Sequence, residues 1–326
     1  MDSPARFKAS PEFDLIARYF TRAPRHTTLA VGDDAALLSV NPECEMAAST
    51  DMLVEGVHFF ADVDPQALGH KALAVNLSDL AAMAAMPRWA MLSLALPGVD
   101  AQWLERFSRG FFALADKHGV DLIGGDTTRG PTVICVQIMG EVGRGKALRR
   151  EGAKIGDDIW VSGELGAAAA AVAHRHGEFV VDQVALDRCQ TRLDWPIPRV
   201  ALGLELGALA HSAIDISDGL LGDLAHICER SGVGATIDYS AVPCSADLRP
   251  LRDEARVMRA VLAGGDDYEL CFTAAPARAA EIDALAMTLD VALTRIGGIV
   301  EGNAVSVLDA SGRPLPVESR GFEHFR

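Results

Sequence analysis

The stretch Asp121-Leu122-Ile123-Gly124-Gly125-Asp126-Thr127-Thr128 joins a short apolar run to a motif of glycine, aspartate and threonine. The apolar run is typical of a strand, and in α/β layers the ligand-binding loops gather where strands end. Met46-Ala47-Ala48 leads into Ser49-Thr50-Asp51 in the same way, and Ala213-Ile214 leads into Asp215. The pattern predicts a protein of mixed helix and sheet, with acidic loops at the ends of its strands.

Acidic residues recur in similar Gly, Ser or Thr contexts along the whole chain. Any one such motif is more often an ordinary turn or helix cap than a site. Their recurrence favours one shared magnesium-phosphate site, because Mg²⁺ binds carboxylate oxygens together with substrate phosphates, and nearby glycines let backbone N–H groups approach phosphate oxygens. The remaining motifs are Gly32-Asp33-Asp34, Asn76-Leu77-Ser78-Asp79, Asp215-Ile216-Ser217-Asp218-Gly219 and Gly264-Gly265-Asp266-Asp267-Tyr268.

Composition and charge limit the classes of function. The net charge of −15 argues against a nucleic-acid partner, because such surfaces neutralise phosphates with Lys and Arg. No apolar run is long enough to cross a bilayer, so we expect no membrane partner. The six cysteines are dispersed and form no C-x-x-C pair, which is typical of a reduced protein in the cytoplasm.

A chain of 326 residues is long for a single core, so two domains are expected. Residues 143–152 are rich in glycine and basic residues, which places the boundary there and predicts domains over 1–145 and 146–326. Pro87 is expected to end the second helix, and Asp100 and Gly119 to cap the third. The sequence predicts helices over 11–20, 65–86, 100–118, 165–175, 199–210 and 220–230, and strands over 89–96, 132–142, 159–162 and 213–216.

Other catalytic patterns have little support. The histidines form no H-E-x-x-H motif and the serines no G-x-S-x-G elbow. Residues 140–146 match the spacing of a P-loop, but Ala147 stands where a hydroxyl must reach Mg²⁺, so we reject a P-loop. Phosphates still need cationic contacts, and Arg149 or Arg150 could supply one, although a solvated surface charge is the alternative for either.

Taken together, the acidic motifs resemble those of the thiamine-monophosphate kinase family in order and spacing over nearly the whole chain. That family belongs to the superfamily of aminoimidazole ribonucleotide synthetase and selenophosphate synthetase. The resemblance implies an α+β class and the two-domain aminoimidazole ribonucleotide synthetase-like fold. Its N-terminal α/β domain forms a homodimer through its sheet, and its C-terminal domain is α+β.

The resemblance also implies roles for individual residues, including catalytic roles for Asp51, Asp79, Asp126 and Asp218. Three positions depart from the family: Ala84 replaces a usual Gly, Asp266 a Glu, and Phe322 a Tyr or Trp. The implied Mg²⁺ ligands are Asp34, Ser49, Thr50, Asp51, Asp79, Asp126, Asp215 and Asp218. The implied ATP contacts are Gly125, Asp126, Arg150 and Ser217, and the implied thiamine monophosphate contacts are His58, Asp266 and Phe322.

The reaction implied is transfer of a phosphoryl group from ATP to thiamine monophosphate, giving ADP and thiamine diphosphate. Its nucleophile is a phosphate oxygen whose second pKa is about 6, so no general base is needed at neutral pH. Several Mg²⁺ ions held by carboxylates would bring the two polyanions into line. Two alternatives stay open at this point: another ATP-dependent synthetase of the same superfamily, and a non-catalytic protein that binds nucleotides or divalent ions.

Overall fold

The structure is a computed structural model that describes residues 11–317 and residue 321. Its helices are α1 (Pro11–Tyr19), α2 (Pro65–Ala82), α3 (Ala101–His118), α4 (Ala167–Arg175), α5 (Gln183–Asp194), α6 (Val200–Leu206), α7 (Leu220–Ser231), α8 (Ala255–Ala263) and α9 (Ala279–Leu289). Its strands are β1 (Cys44–Val54), β2 (Met86–Leu96), β3 (Asp121–Arg129), β4 (Val133–Gly143), β5 (Asp158–Ser162), β6 (Ser212–Ile216), β7 (Gly234–Asp238), β8 (Glu269–Ala274), β9 (Leu293–Val300) and β10 (Val305–Leu308). Among the described residues, no helix combines the length and the apolar character that a membrane crossing requires.

The chain separates into two compact units that are not continuous in sequence. Unit 1 holds the described residues up to Asn41 together with Ala48–Asn76 and Pro87–Gly140. Unit 2 holds Pro42–Ala47, Leu77–Met86 and the described residues from Glu141 onward. Helix α2 therefore begins in unit 1 and ends in unit 2. The sequence-based division between residues 145 and 146 stays a prediction.

Each half of the chain contributes one sheet. The first sheet has the strand order β1-β4-β2-β3, and β2 and β3 run parallel. The second sheet has the order β10-β7-β9-β5-β8-β6, in which β6 and β8 are antiparallel and Ile216 lies opposite Glu269. The end of β6 therefore lies beside the start of β8, and the acidic motifs of residues 215–219 and 264–268 become neighbours.

The predicted N-cap and C-cap of α3 are both confirmed. The Asp100 carboxylate accepts hydrogen bonds from the N–H groups of Gln102 and Trp103. Gly119 has a φ of +66°, in the left-handed region that glycine enters at little cost. In the turn Asp309–Gly312, the Asp309 carboxylate likewise accepts hydrogen bonds from nearby N–H groups, those of Ser311 and Arg313.

Two acidic motifs lie inside strands and not in loops after them, so that expectation is wrong. Ser49-Thr50-Asp51 falls within β1, and Gly124–Thr128 falls within β3. Each motif combines β-branched Thr with Gly or Asp, which are depleted in strands, so its sequence does not mark it clearly as a strand. Both are extended because neighbouring strands pair with them, and in β3 the pairing continues from Gly124 with Met91 to Arg129 with Leu96.

The sequence predicted that Pro87 ends α2, and this prediction is wrong. The helix stops at Ala82 and Pro87 is the second residue of β2. The end is made by hydrogen bonds from Ala84 N–H to Ala81 O and from Ala85 N–H to Leu80 O, the pair that defines a Schellman motif. Ala84 consequently has a φ of +54°. The usual glycine at this position is therefore explained by backbone conformation.

Ala84→Gly is expected to stabilise unit 2 by about 0.5–1 kcal/mol. A left-handed conformation costs an L-residue about 1–2 kcal/mol, and the extra chain entropy of glycine offsets about half of that. The urea midpoint of unfolding measures the change. Ala85→Gly is the control, because Ala85 is buried with an ordinary φ and gains nothing from glycine. Equal destabilisation by both substitutions would contradict this account of Ala84.

Candidate functional site

Strand β1 presents the first set of oxygen donors. Ser49 and Asp51 are half-buried, and Thr50 between them is exposed. Successive side chains of a strand point to opposite faces, so the Thr50 hydroxyl cannot share a ligand with the Asp51 carboxylate. The Thr50 hydroxyl instead donates to the Val136 carbonyl at 3.1 Å. Of the Thr50 oxygens, only the main-chain carbonyl remains compatible with a site shared with Asp51.

Asp126 lies in β3 and its side chain is exposed. It lies opposite Ser93 of β2, and Gly125 before it lies opposite Leu92. Gly125 has a φ of +151°, and a Cβ built there would lie 1.8 Å from the Leu92 carbonyl oxygen. Glycine is therefore required at 125 by the approach of the neighbouring strand, whether or not Gly125 also contacts a nucleotide.

Asp34 and His58 complete the predicted site residues of unit 1. Asp34 is exposed, and its N–H donates to the Asp33 carboxylate at 2.9 Å. His58 follows the end of β1, where its Nδ1 accepts a hydrogen bond from the Val54 N–H at 3.0 Å. When the ring is neutral, this bond places the proton on Nε2, which is then a hydrogen-bond donor.

In unit 2 three predicted site residues lie at the end of β6 and in the loop that follows it. Asp215 is buried within the strand, Ser217 is half-buried and Asp218 is exposed. The loop is tied to residues 264–268, because Ser217 O accepts the Asp266 N–H at 2.9 Å and Ile216 O accepts the Tyr268 N–H at 2.8 Å. The structure thus brings Asp215, Ser217, Asp218 and Asp266 to one edge of the second sheet.

The sequence reasoning missed Asp223, which is 3% exposed in the first turn of α7. Its Oδ2 accepts the N–H groups of Ser217, Asp218 and Gly219, each at 3.1 Å. Burial, together with the smaller effect of the charge of Asp218, raises the pKa of this carboxyl to about 7, although the three N–H donors act against the rise. An acid in the first turn of α7, four residues after Gly219, was the available signal.

The loop before β8 has an unusual backbone. Asp266 and Tyr268 have φ values of +68° and +51°. Non-glycine residues rarely occupy this region, and those that do are concentrated at functional sites. Between them, both oxygens of Asp267 accept the Gly166 N–H at the start of α4, and burial raises the pKa of Asp267 well above its usual value.

Glu269, at the end of the same motif, belongs to the core and is not a ligand candidate. It is 4% exposed and forms a bidentate ion pair with Arg199. The Ser162 hydroxyl donates to the same carboxylate at 2.5 Å and accepts the Leu270 N–H at 2.9 Å. A buried carboxylate satisfied in this way fixes β8 against β5 and α6.

Arg150 and Phe322 are two further predicted site residues. Arg150 is exposed, and its carbonyl accepts a hydrogen bond from Ser231 at the C-terminal end of α7. Ser217 precedes the other end of this 12-residue helix, about 18 Å away along its axis. Gly321 lies against the Asp218 loop, where a Cβ on it would be 3.0 Å from the Asp218 carbonyl oxygen. Phe322 lies outside the described residues.

The donor chemistry of these residues fits Mg²⁺, which prefers carboxylate and hydroxyl oxygens. Within the described part of the chain, Asp34, Asp126 and Asp218 are exposed carboxylates with no Lys or Arg ion partner. Asp79 is half-buried near the end of α2. Over residues 11–317 and 321, no three His, Cys, Asp or Glu side chains form a preformed metal group. Mg²⁺ usually takes one or two protein carboxylates and completes its shell with substrate phosphates, so each of these carboxylates suits it separately.

Two family models match this chain. The model for AIR synthase related protein, N-terminal domain, matches residues 32–142, and the model for the C-terminal domain matches residues 154–309. The match confirms the predicted fold class and the two-domain fold. It also covers the strands and loops that carry Asp34, Asp126, Asp218 and Asp266.

Relatives and solved structures extend the similarity over nearly the whole chain. Thiamine-monophosphate kinase of Escherichia coli (strain K12) is 44% identical over 321 residues, or 97% of this chain and 99% of that protein. The crystal structure of thiamine-monophosphate kinase from Stenotrophomonas maltophilia K279a is 47% identical, with a TM-score of 0.83 over 93% of this chain and 96% of that one. AaThiL complexed with AMPPCP and TMP is 31% identical, with a TM-score of 0.76 over 91% of this chain and 92% of that one. Because sequence identity to these proteins and similarity of fold both extend over more than nine-tenths of the chain, this chain belongs to the thiamine-monophosphate kinase family.

Proposed function

We propose that this protein transfers the terminal phosphoryl group of ATP to thiamine monophosphate, giving thiamine diphosphate and ADP. The observation that carries the proposal is the set of exposed carboxylates without cationic partners among the described residues, Asp34, Asp126 and Asp218. They belong to the acidic motifs that resemble those of the thiamine-monophosphate kinase family. AaThiL, similar in fold over 91% of this chain, was solved with AMPPCP and TMP, which fits an ATP site and an acceptor site.

The chain's own residues would bind and orient two polyanions. Several Mg²⁺ ions would be held, in various combinations, by Asp34, Ser49, Asp51, Asp79, Asp126, Asp215 and Asp218, with the Thr50 carbonyl. When bound, Mg²⁺ neutralises charge on donor and acceptor phosphates and favours in-line geometry. Because the attacking phosphate oxygen is already ionised at neutral pH, no side chain has to remove a proton.

We assign the acceptor side to His58, Asp266 and Phe322, and the nucleotide side to Gly125, Asp126, Arg150 and Ser217. The hydrogen bond from the Val54 N–H supports the assignment of His58, because it orients the ring and places the proton of the neutral form on Nε2. The left-handed backbone conformation of Asp266 supports its assignment, because strained residues of this kind are concentrated at functional sites. The assignment of Arg150 requires that its side chain reach the nucleotide from the C-terminal end of α7, where Arg150 lies.

ADP release against a panel of phosphate acceptors tests the proposal. We expect ADP and thiamine diphosphate to form in equal amounts with thiamine monophosphate, in a reaction that chelation of divalent ions stops. Turnover that requires another acceptor, such as an amide-type oxygen, would place the protein with the synthetases of the superfamily. ATP binding without turnover on any acceptor would make it a non-catalytic binding protein.

The rate is expected to fall below about pH 6 in wild type and in His58→Ala alike. The second pKa of the acceptor phosphate is about 6, so the phosphate gains a proton and loses nucleophilicity as the pH falls through this value. The measurement is kcat as a function of pH for both proteins. An inflection that disappears in His58→Ala would show that His58 acts as a base.

We also propose that the protein is a homodimer formed through the first sheet. Strand β1 is at the edge of that sheet, and its Met46 and Met52 side chains are 50% and 57% exposed. A long edge strand with exposed apolar side chains is normally covered by a partner. Sedimentation should show a species of twice 34.6 kDa that Met52→Glu dissociates and Met287→Glu, on the exposed surface of α9, leaves intact. A wild-type monomer at micromolar concentration would contradict the proposal.

A cytoplasmic location is a further part of the proposal. All six cysteines are free, and four of them are buried. Free thiols are usual in proteins of reducing compartments.

A further inference from the structure

The loop Ser217–Gly219 has its main-chain polar groups occupied from two sides. The three successive N–H groups converge on one oxygen of Asp223, each at 3.1 Å. On the other side, the carbonyl of Ser217 accepts the Asp266 N–H at 2.9 Å. Gly219, with a φ of +122°, packs so closely on Ala263 that an added Cβ would lie 2.7 Å from its carbonyl carbon.

Three successive N–H groups at the start of a helix ordinarily form an anion-binding concavity that can hold a phosphate. Here a buried carboxylate of the same chain fills the concavity. A nucleotide phosphate therefore cannot take these N–H groups without displacing Asp223, which is only 3% exposed. What the loop can offer outward is the half-buried Ser217 hydroxyl and the exposed Asp218 carboxylate.

We propose that Asp223 is a positioning residue, which holds the loop in the one conformation that presents Ser217 and Asp218 to the metal-bound nucleotide. The proposal rests on the function proposed above. It adds that the start of α7 is closed to phosphate and that this loop contacts the nucleotide complex through side chains. Asp223 touches neither the nucleotide nor the acceptor, so its removal changes affinity for the metal-nucleotide complex through the loop alone.

The test compares Asp223→Ala, Asp223→Asn and Asp157→Ala. Asp157 is the matched control because it is 4% exposed, lies in the same unit, and accepts hydrogen bonds from the Lys154 N–H and from His211, away from the loop. Binding of Mn²⁺ with ATP is followed by calorimetry and by the electron paramagnetic resonance of Mn²⁺, with KM for both substrates and the melting temperature measured alongside.

Asp223→Ala should weaken binding of Mn²⁺ with ATP about 10- to 100-fold, the usual effect of losing a group that orients a metal ligand. KM for thiamine monophosphate should change less than threefold. Asp223→Asn should fall between wild type and Asp223→Ala, because its amide oxygen still accepts N–H bonds but carries no charge. Asp157→Ala should lower the melting temperature and leave the affinity for Mn²⁺ with ATP unchanged.

Several results would overturn the positioning role. Folded Asp223→Ala with wild-type affinity would do so, and so would equal losses for both substrates, or the same loss of affinity in Asp157→Ala. If Asp223→Ala does not fold, Asp223→Asn decides alone: a three- to tenfold loss of affinity supports the role and an unchanged affinity overturns it. Because binding of Mn²⁺ with ATP needs no acceptor, failure of thiamine monophosphate as substrate would overturn the proposed function and leave this test readable.

Discussion

Asp51→Asn and Asp126→Asn are each expected to lower kcat about a thousandfold while the protein stays folded. Each substitution replaces a carboxylate by a neutral amide of the same size at a position assigned to bind Mg²⁺. Metal ligands supply several kcal/mol of charge stabilisation to phosphoryl transfer, and about 4 kcal/mol corresponds to a factor of a thousand in rate. Asp126 is exposed and Asp51 half-buried, so neither change leaves a cavity in the core.

Turnover at saturating Mg²⁺ and circular dichroism measure this outcome. Asp116→Asn is the matched control in the same unit, because Asp116 is an exposed carboxylate that pairs with Arg22 and Arg25 on the surface. Surface pairs of this kind contribute about 0–1 kcal/mol to stability, so this variant should keep wild-type turnover. A folded Asp51→Asn or Asp126→Asn with wild-type kcat would show that the acidic motifs do not form the reaction site.

Gly125→Ala is expected to destabilise unit 1 by more than about 3 kcal/mol and to abolish activity. The new Cβ would lie 1.8 Å from the Leu92 carbonyl oxygen and 2.5 Å from its carbon, so β3 would have to separate from β2. A positive φ adds strain for any L-residue. Because Asp126 is the next residue of β3, separation of the strands would also displace its carboxylate.

Gly124→Ala provides a matched control one residue earlier in the same strand. A Cβ at 124 meets only the terminal methyl of Met91, at 3.8 Å, and the backbone there has no positive φ. We expect the free energy of unfolding of this variant to lie within about 0.5 kcal/mol of the wild-type value, and we expect the variant to retain activity. If Gly125→Ala instead folds normally and loses only ATP affinity, Gly125 acts through the nucleotide and not through strand packing.

Sequence alone predicted the class of fold and much of the element order, because these depend on local chemistry. Asp100 and Gly119 cap α3 as expected, since capping involves only neighbouring backbone groups. The recurring acidic motifs predicted a magnesium-phosphate site from residue type, because Mg²⁺ prefers oxygen donors and glycines let backbone N–H groups approach phosphates. Several motif residues do gather, as the loop of residues 215–219 shows beside residues 264–268.

Some acidic residues have roles that no local pattern reveals. Glu269 directly follows an acidic motif, yet its carboxylate forms an ion pair with Arg199, which is 70 residues away in sequence. Asp223 lies outside every motif, yet it holds the loop that carries the predicted site residues Ser217 and Asp218. In both cases the partner of a buried carboxylate determines its role, and the partner is known only once the chain is folded.

By itself the sequence determined which residues can bind metal and phosphate, since side-chain chemistry is a property of residue type. Tertiary structure alone decided how those residues are presented. The pairing of β3 with β2 put Gly124–Thr128 into a strand, and the Schellman end of α2 put Ala84 into a left-handed conformation. The alternation of β1 turned the Thr50 hydroxyl away from Asp51. The first two outcomes depend on hydrogen bonds between main-chain groups, and the third depends on the alternation of side chains along a paired strand, so only the folded chain reveals them.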